Sequence, residues 1–185
     1  MDINGMMNLR EFDIRGNENL TLKGEVIDLS ELPPNIRTFG AHGCGFNAKL
    51  EVRDNSKRFS DLTELFLYAN HLHGHFDFRQ IQRIAPNLRE FGISSNQFEG
   101  RFEIDESVGT MRGLKRISIE NNHFNGPFPF DSLPRVMPSL EYLDIGNNEF
   151  EGTLDLIPLA KMNRTRKLHL GHNISFIVLL ECNNY

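Results

Sequence analysis

The feature that most constrains this chain is a residue pattern that recurs every 26 positions. Residues 88–96 and 114–122 both carry apolar side chains at positions 1, 4 and 6 and asparagine at position 9. Segments that begin at Leu62 and Leu140 keep the same frame. Looser copies complete a set of seven units, which begin near residues 9, 36, 62, 88, 114, 140 and 165. A period of this length is typical of arrays in which similar units stack on one another.

The ninth position of each unit forms a column that we interpret as a structural ladder. An amide side chain there is suited to satisfying buried backbone groups where the chain leaves a strand. Cysteine replaces asparagine once in this column. The ladder consists of Asn17, Cys44, Asn70, Asn96, Asn122, Asn148 and Asn173.

Positions 3 to 7 of each unit alternate between outward and inward side chains, which predicts a short β-strand. A single coil leaves its apolar side uncovered, whereas stacked coils bury a continuous core and align their strands in a parallel sheet. We therefore predict an α/β repeat solenoid with this sheet on its concave face. Short helical, 3₁₀ or extended returns, such as those that end at Pro86 and Pro138, lie on the convex face.

After the ladder position, columns of mostly phenylalanine alternate with a glycine column. We expect the phenylalanines to fill the turn region behind the sheet, while glycine lets the backbone approach closely. In this interpretation residues 1–185 form a single array. Residues 174–185 form an apolar C-terminal tail or cap.

The units resemble the motif LxxLxLxx(N/C)xL of the leucine-rich-repeat family, whose period is roughly 20 to 29 residues. The continuation N-x-F-x-G, as at Asn96, Phe98 and Gly100, is most similar to plant-receptor-like and protist repeats of that family. The resemblance implies a curved array that acts by binding.

Charge and cysteine content narrow the functional classes. The chain carries 20 Lys+Arg against 25 Asp+Glu, so we expect no nucleic-acid partner. Cys44 and Cys182 lie too many strand spacings apart for a disulfide, and we predict free thiols. No apolar run is long enough for a transmembrane helix. The first residues lack a signal-peptide pattern, which favours an intracellular location while leaving the compartment open.

The alternate histidines His71, His73 and His75 are the strongest candidate for a metal site. Equivalent positions in the next unit hold Gln97 and Glu99, so we interpret the histidines as variable solvent-facing residues and expect no metal or other cofactor. No nucleophile with a paired base occurs in the sequence. We therefore expect no catalytic residue and no enzymatic activity.

The outward positions 3, 5 and 7 form three columns across the concave face, which we predict to be the binding surface. Phe66 and Tyr68 stand out among small neighbours such as Gly40 and Gly92, and we expect both rings to be accessible. The candidate partner-binding residues are His42, Glu64, Phe66, Tyr68, Glu90, Ser94, Arg116, Glu120, Tyr142 and Asp144.

These features favour a non-catalytic scaffold or adaptor that binds another protein through its concave face. Two alternatives stay open. The first is a structural subunit of a larger assembly, with end-on association through the array termini. The second is an ectodomain or fragment of a receptor-like or surface-antigen protein.

Overall fold

The computed structural model describes residues 3, 5–20, 22, 24–155 and 157–178. Within these residues the chain forms two parallel sheets of seven strands each. Every strand of the first sheet is hydrogen-bonded to the corresponding strand of the neighbouring unit. Its strands are β1 (Glu11–Asp13), β3 (Thr38–Gly40), β5 (Glu64–Phe66), β7 (Glu90–Gly92), β9 (Arg116–Ser118), β11 (Tyr142–Asp144) and β13 (Lys167–His169).

The first sheet lies where the apolar alternation predicts it. Leu65 and Leu67, at positions 4 and 6 of the third unit, are completely buried. Glu64 pairs with Glu90, so each residue of β5 lies beside its own copy in the next unit. This arrangement confirms the predicted solenoid with a parallel sheet.

A second parallel sheet follows the ladder position, where the sequence predicted only a turn region. Its strands run beside one another in the order of the units. They are β2 (Val26–Asp28), β4 (Lys49–Glu51), β6 (His73–His75), β8 (Gln97–Arg101), β10 (His123–Pro127), β12 (Glu149–Leu154) and β14 (Ser175–Val178).

The register of this second sheet explains the alternation of phenylalanine with glycine. Phe98 pairs with Gly74, and Phe124 pairs with Gly100, so each aromatic residue lies opposite the glycine of the preceding unit. Gly100 has φ +89°, and a Cβ atom at this position would overlap the imidazole of His75. Glycine is therefore required both by the backbone conformation and by the close approach of the neighbouring strand.

Phenylalanine rings from the second sheet extend the apolar core from unit to unit. The ring centroids of Phe98 and Phe124 are 6.3 Å apart, and those of Phe124 and Phe150 are 6.2 Å apart, both in stacked orientation. Together with the buried residues of the first sheet they form one continuous core. Such stacking stabilises neighbouring units against each other beyond simple burial of area.

Short helical segments return the chain across the convex side, as the fold prediction requires. Several of them begin at an aspartate whose carboxylate accepts a backbone N–H two residues later, as Asp77 does from Arg79 at 3.0 Å. This is the usual chemistry of a helix N-cap. The segments are α1 (Phe78–Ile84), α2 (Leu133–Val136), α3 (Ile157–Ala160) and 3₁₀ turns at Leu29–Glu31, Glu106–Val108 and Phe130–Ser132.

The C-terminal segment takes part in the array. Of the expected tail at 174–185, residues Ser175–Val178 form β14, which pairs with β12, and residues 179–185 lie outside the described part of the chain. Cys44 is buried with a free thiol, whereas Cys182 also lies outside the described part. In the described residues, no helix has the length and apolar character needed to cross a membrane.

Candidate protein-binding surface

The outward side chains of the first sheet border a groove on its concave face. This groove has a volume of about 390 Å³, and six of the ten predicted binding residues line it. Those six are Phe66, Tyr68, Glu90, Ser94, Arg116 and Glu120. The backbone of Gly92 forms part of the floor, because a small residue leaves room for the rings above it.

Three aromatic side chains form a patch at one side of the groove. The imidazole of His42 stacks on the ring of Tyr68, with 4.0 Å between centroids and 21° between planes. Phe66 meets Tyr68 edge to face at 6.2 Å. A Cβ atom at Gly92 would lie 3.4 Å from Phe66 Cδ1, so the rings extend over this glycine. The three side chains, His42, Phe66 and Tyr68, are called the aromatic patch below.

Both predicted anchors of the aromatic patch are half-buried. We expected small neighbours to leave the rings of Phe66 and Tyr68 open. In the structure the rings instead cover one another and Gly92, because the absence of a side chain lets them lie down on the sheet. Part of each ring is therefore already covered within the protein, and a partner can contact only the part that stays exposed.

Burial lowers the pKa of His42 below its ordinary value, and the nearby positive charge of Arg15 lowers it further, against the opposing effect of Asp13. The Nδ1 atom of His42 is buried without a hydrogen-bond partner in the described part of the chain. Both effects favour the neutral imidazole. At neutral pH the aromatic patch therefore carries no charge of its own.

Arg116 lines the opposite side of the groove. Its Nε atom lies 3.5 Å from Glu90 Oε2, and its guanidinium carbon lies 4.4 Å from the centroid of the Tyr142 ring. A guanidinium over an aromatic face is attracted by the ring quadrupole. Arg116 thus contacts Glu90 of the preceding unit and Tyr142 of the following unit, both of which lie beside it in the sheet.

Acidic groups outnumber basic groups around the groove. Glu120 accepts a hydrogen bond from the Ser118 hydroxyl at 2.7 Å, and Glu64 accepts one from Thr38 at 3.3 Å. Glu90 is the only one of these three carboxylates for which a salt bridge is found among the described residues, and its partner is Arg116. The charge of the surface is therefore negative.

Asp144 organises the surface beyond Arg116. Its Oδ2 atom accepts the Tyr142 hydroxyl at 2.9 Å and lies 2.8 Å from His169 Nδ1, while its Oδ1 atom accepts the Gly146 N–H at 3.1 Å. Burial and this bond to Asp144 raise the pKa of Tyr142 to about 12, so the phenol stays a neutral donor. His169 is not among the predicted binding residues, although it lies directly beside Asp144 in the first sheet.

The ladder side chains fix the turns that carry these columns. Asn96 accepts the Leu72 N–H at 2.9 Å and donates to the carbonyl oxygens of Leu67 and Ile93, both at 3.0 Å. One amide therefore joins the backbone of two units. Asn70, Asn122 and Asn148 repeat this geometry, with their side chains buried. Asn17, in the first unit, is exposed, and among the described residues it donates to carbonyl groups of its own turn.

The three alternate histidines lie on and beside strand β6. His73 Nδ1 lies 3.3 Å from the carbonyl oxygen of His71, and the ring of His75 covers Gly100 of the next unit. In the described part of the chain, no group of three or more side chains has the geometry to hold a metal ion. His75 thus has a packing role in the second sheet.

Comparison with known proteins supports the repeat assignment. A family model described as Leucine Rich Repeat matches residues 139–160, which span one unit. No curated protein sequence is significantly similar to this chain.

Solved structures with a similar fold include plant receptor proteins. The Arabidopsis receptor kinase HAESA, in complex with the peptide hormone IDA and a co-receptor, matches with a TM-score of 0.65 and 22% identity. That match covers 94% of this chain and 27% of the receptor chain. This chain therefore spans about a quarter of that structure.

Two further structures show the range of proteins with this fold. Pollen Receptor Kinase 3 matches with a TM-score of 0.56 and 19% identity, over 78% of this chain and 64% of its own. A plant ice-binding protein matches with a TM-score of 0.52 and 22% identity, over 82% and 46%. From the 26-residue units, the paired parallel sheets and these matches we conclude that the chain contains a leucine-rich repeat at residues 139–160 and is similar in fold to leucine-rich-repeat ectodomains of plant receptors.

Proposed function

We propose that this protein binds another protein through the concave face of its first sheet, with Phe66 and Tyr68 as the main anchors. The observation that carries the proposal is the aromatic patch, which borders a groove whose other outward-facing residues are glycine, serine and charged residues. Aromatic side chains near the centre of an interface commonly supply most of the binding free energy. Phe66 and Tyr68 are prearranged by mutual contact, so ordering them on binding costs little entropy.

The negative charge of the groove indicates which side chains the bound segment of the partner carries. Glu90 is paired with Arg116, whereas within the described residues the carboxylates of Glu64 and Glu120 accept hydrogen bonds from neutral hydroxyls and form no salt bridge. A lysine or arginine of the partner would therefore find carboxylates beside the aromatic patch. We infer that the bound segment combines an apolar side chain for Phe66 and Tyr68 with a basic side chain nearby.

The fold comparison supports the same class of function. The HAESA structure contains a peptide hormone and a co-receptor, so an array of this fold is able to bind both peptides and proteins. The function proposed for this chain needs no catalytic residue and no cofactor. We propose that the chain acts as a non-catalytic scaffold or adaptor for this partner.

Affinity capture with matched variants tests the proposal. The wild-type chain, the double variant Phe66→Ala/Tyr68→Ala and the control Glu151→Ala are immobilised and exposed to extract of the native cell. Glu151 is exposed on the second sheet, away from the groove. We expect a set of proteins that the wild type and the control retain and the double variant loses. Equal retention by all three chains would contradict the proposed site.

A further inference from the structure

We propose that the groove contains a subsite for an arginine side chain of the partner, formed by Tyr68, Ser94 and Glu120. This inference rests on the proposed function, because it names the basic side chain that the bound segment carries. All three residues line the groove on the concave face. They occupy position 7 of three successive units.

An arginine of the chain itself shows how such a subsite works. Arg116 lies between a carboxylate and an aromatic ring that belong to its two neighbouring units. Its Nε atom is 3.5 Å from Glu90 Oε2, and its guanidinium carbon is 4.4 Å from the centroid of the Tyr142 ring. The three residues pair side by side at position 3 of the first sheet. A guanidinium between a ring and a carboxylate is stabilised by both groups.

Position 7 repeats this arrangement without the arginine. Tyr68 supplies the ring, Glu120 supplies the carboxylate, and the small residue Ser94 lies between them. The three units are adjacent here as well, since the Ala69 N–H donates to the Ser94 carbonyl oxygen and the Ser95 N–H donates to that of Glu120, both at 2.9 Å. Ser94 is buried on the floor of the groove, so a guanidinium lies above it, between the two larger side chains.

The spacing of the units suits a guanidinium. Neighbouring strands are about 4.8 Å apart, so Tyr68 and Glu120 leave the sheet about 10 Å from each other. A planar cation midway between them lies about 5 Å from each. This distance is close to the 4.4 Å between the guanidinium of Arg116 and the ring of Tyr142.

The Tyr68 ring turns one face toward the subsite. His42 of the preceding unit stacks on the ring, with 4.0 Å between centroids and 21° between planes. The opposite face is therefore directed toward the following unit, where Tyr68 Cδ1 lies 3.5 Å from a Cβ atom built at Gly92. Burial and the charge of Arg15 lower the pKa of His42, so the imidazole behind the ring is neutral at neutral pH and does not repel a cation.

The carboxylate of Glu120 is suited to a charged donor. Its Oε2 atom accepts the Ser118 hydroxyl at 2.7 Å, and no salt bridge of Glu120 is found among the described residues. Arginine fits better than lysine, because a flat guanidinium stacks on the Tyr68 ring and donates N–H groups to a carboxylate at the same time. The ammonium group of lysine is a compact point charge without a flat face.

Nuclear magnetic resonance titration with small probes tests the subsite without a partner protein. The full chain is titrated with N-acetyl-arginine amide and, separately, with the corresponding amides of lysine and citrulline. Citrulline keeps the shape of arginine without its charge. We expect saturable shifts of the backbone amide signals of Ser94 and Glu120 with the arginine probe, and at least about tenfold weaker binding of the other two probes.

Matched variants locate the binding of the arginine probe. Tyr68→Ala and Glu120→Gln should each weaken it at least about tenfold, and circular dichroism checks that each variant is folded. Glu64→Gln removes a carboxylate of the same face outside the subsite and should change the affinity less than about twofold. Equal binding of the arginine and lysine probes, equal losses for Glu64→Gln and Glu120→Gln, or no saturable shift would overturn the proposal.

A second test places the cation within the chain. Ser94→Arg should put a guanidinium between Tyr68 and Glu120, as Arg116 lies between its neighbours at position 3. Glu120→Gln should then lower the urea midpoint of unfolding more in the Ser94→Arg protein than in the wild type. Equal shifts in the two backgrounds would contradict the subsite. If Ser94→Arg does not fold, because Ser94 is buried, the probe titration decides.

The subsite and the proposed function give different results when only one of them fails. A captured partner that Phe66→Ala/Tyr68→Ala loses and Glu120→Gln binds as tightly as the wild type would overturn the arginine subsite alone. Binding of the arginine probe at Ser94 and Glu120, together with equal protein capture by all chains, would contradict the proposed function and support the subsite.

Discussion

Single amide side chains determine how each unit turns, and Asn96 offers the most direct test of this role. Replacing it with leucine leaves the Leu72 N–H and the carbonyl oxygens of Leu67 and Ile93 without their bonds. We expect Asn96→Leu to lower the free energy of unfolding by about 1–3 kcal/mol, measured by urea denaturation. The neighbouring Gln97 is exposed, so Gln97→Leu should change the free energy of unfolding little. Equal costs would show that the ladder does not stabilise the array.

Protonation of His42 should destabilise the fold. Burial, followed by the charge of Arg15, lowers its pKa in the folded state, so the unfolded chain binds the proton more readily. Stability is therefore fully present above the unfolded pKa of about 6.5 and falls as the pH drops through that value toward the folded pKa. Urea denaturation at a series of pH values should show a smaller loss for His42→Phe, which keeps a ring beside Tyr68. Identical pH profiles would exclude this contribution.

Among the structural elements, the first sheet could be predicted from the sequence and the second could not. In the first sheet, hydrogen-bonded partners such as Glu64 and Glu90 occupy the same position of successive units, so the columns of the alignment are also columns in space. In the second sheet Phe98 pairs with Gly74, two positions out of the repeat frame. The columns of the alignment therefore did not show which residues lie opposite each other in the second sheet.

The candidate surface shows the same division. Strand alternation was enough to place Phe66 and Arg116 on the concave columns. It did not indicate that the Phe66 and Tyr68 rings would lie over Gly92 or that His169 would contact Asp144. Those contacts depend on side-chain rotamers and on the distance between neighbouring strands, which a repeat pattern does not encode.

The glycine column of the second sheet provides a test at the level of the element. Gly100→Ala places a Cβ atom against His75 on a backbone with φ +89°, and we expect a loss of about 1–3 kcal/mol in thermal or urea denaturation. Adding His75→Ala should restore the part of the lost stability that comes from steric overlap with the imidazole. The part that comes from backbone strain at this position should remain. Gly113→Ala, whose Cβ atom would meet its nearest neighbour at 3.6 Å, is the control. A Gly100→Ala protein as stable as this control would contradict the proposed packing.

At the scale of the whole molecule, one core supports two kinds of surface. The concave face of the first sheet carries the aromatic patch and the acidic groove, whereas the second sheet carries the glycine column and the stacked phenylalanine rings. The residues proposed to bind a partner lie outside the core, so variants of the groove test binding and variants of the ladder and the glycine column test stability.

The most direct test of the central claim is the affinity of Phe66→Ala/Tyr68→Ala for a captured partner, measured by isothermal titration calorimetry. Both side chains lie outside the core and are half-buried, so the variant should stay folded. Loss of about 2 kcal/mol from even one of the two anchors predicts a dissociation constant raised at least about tenfold, with Glu151→Ala unchanged. A double variant that binds the partner as tightly as the wild type would show that the protein does not bind through this patch.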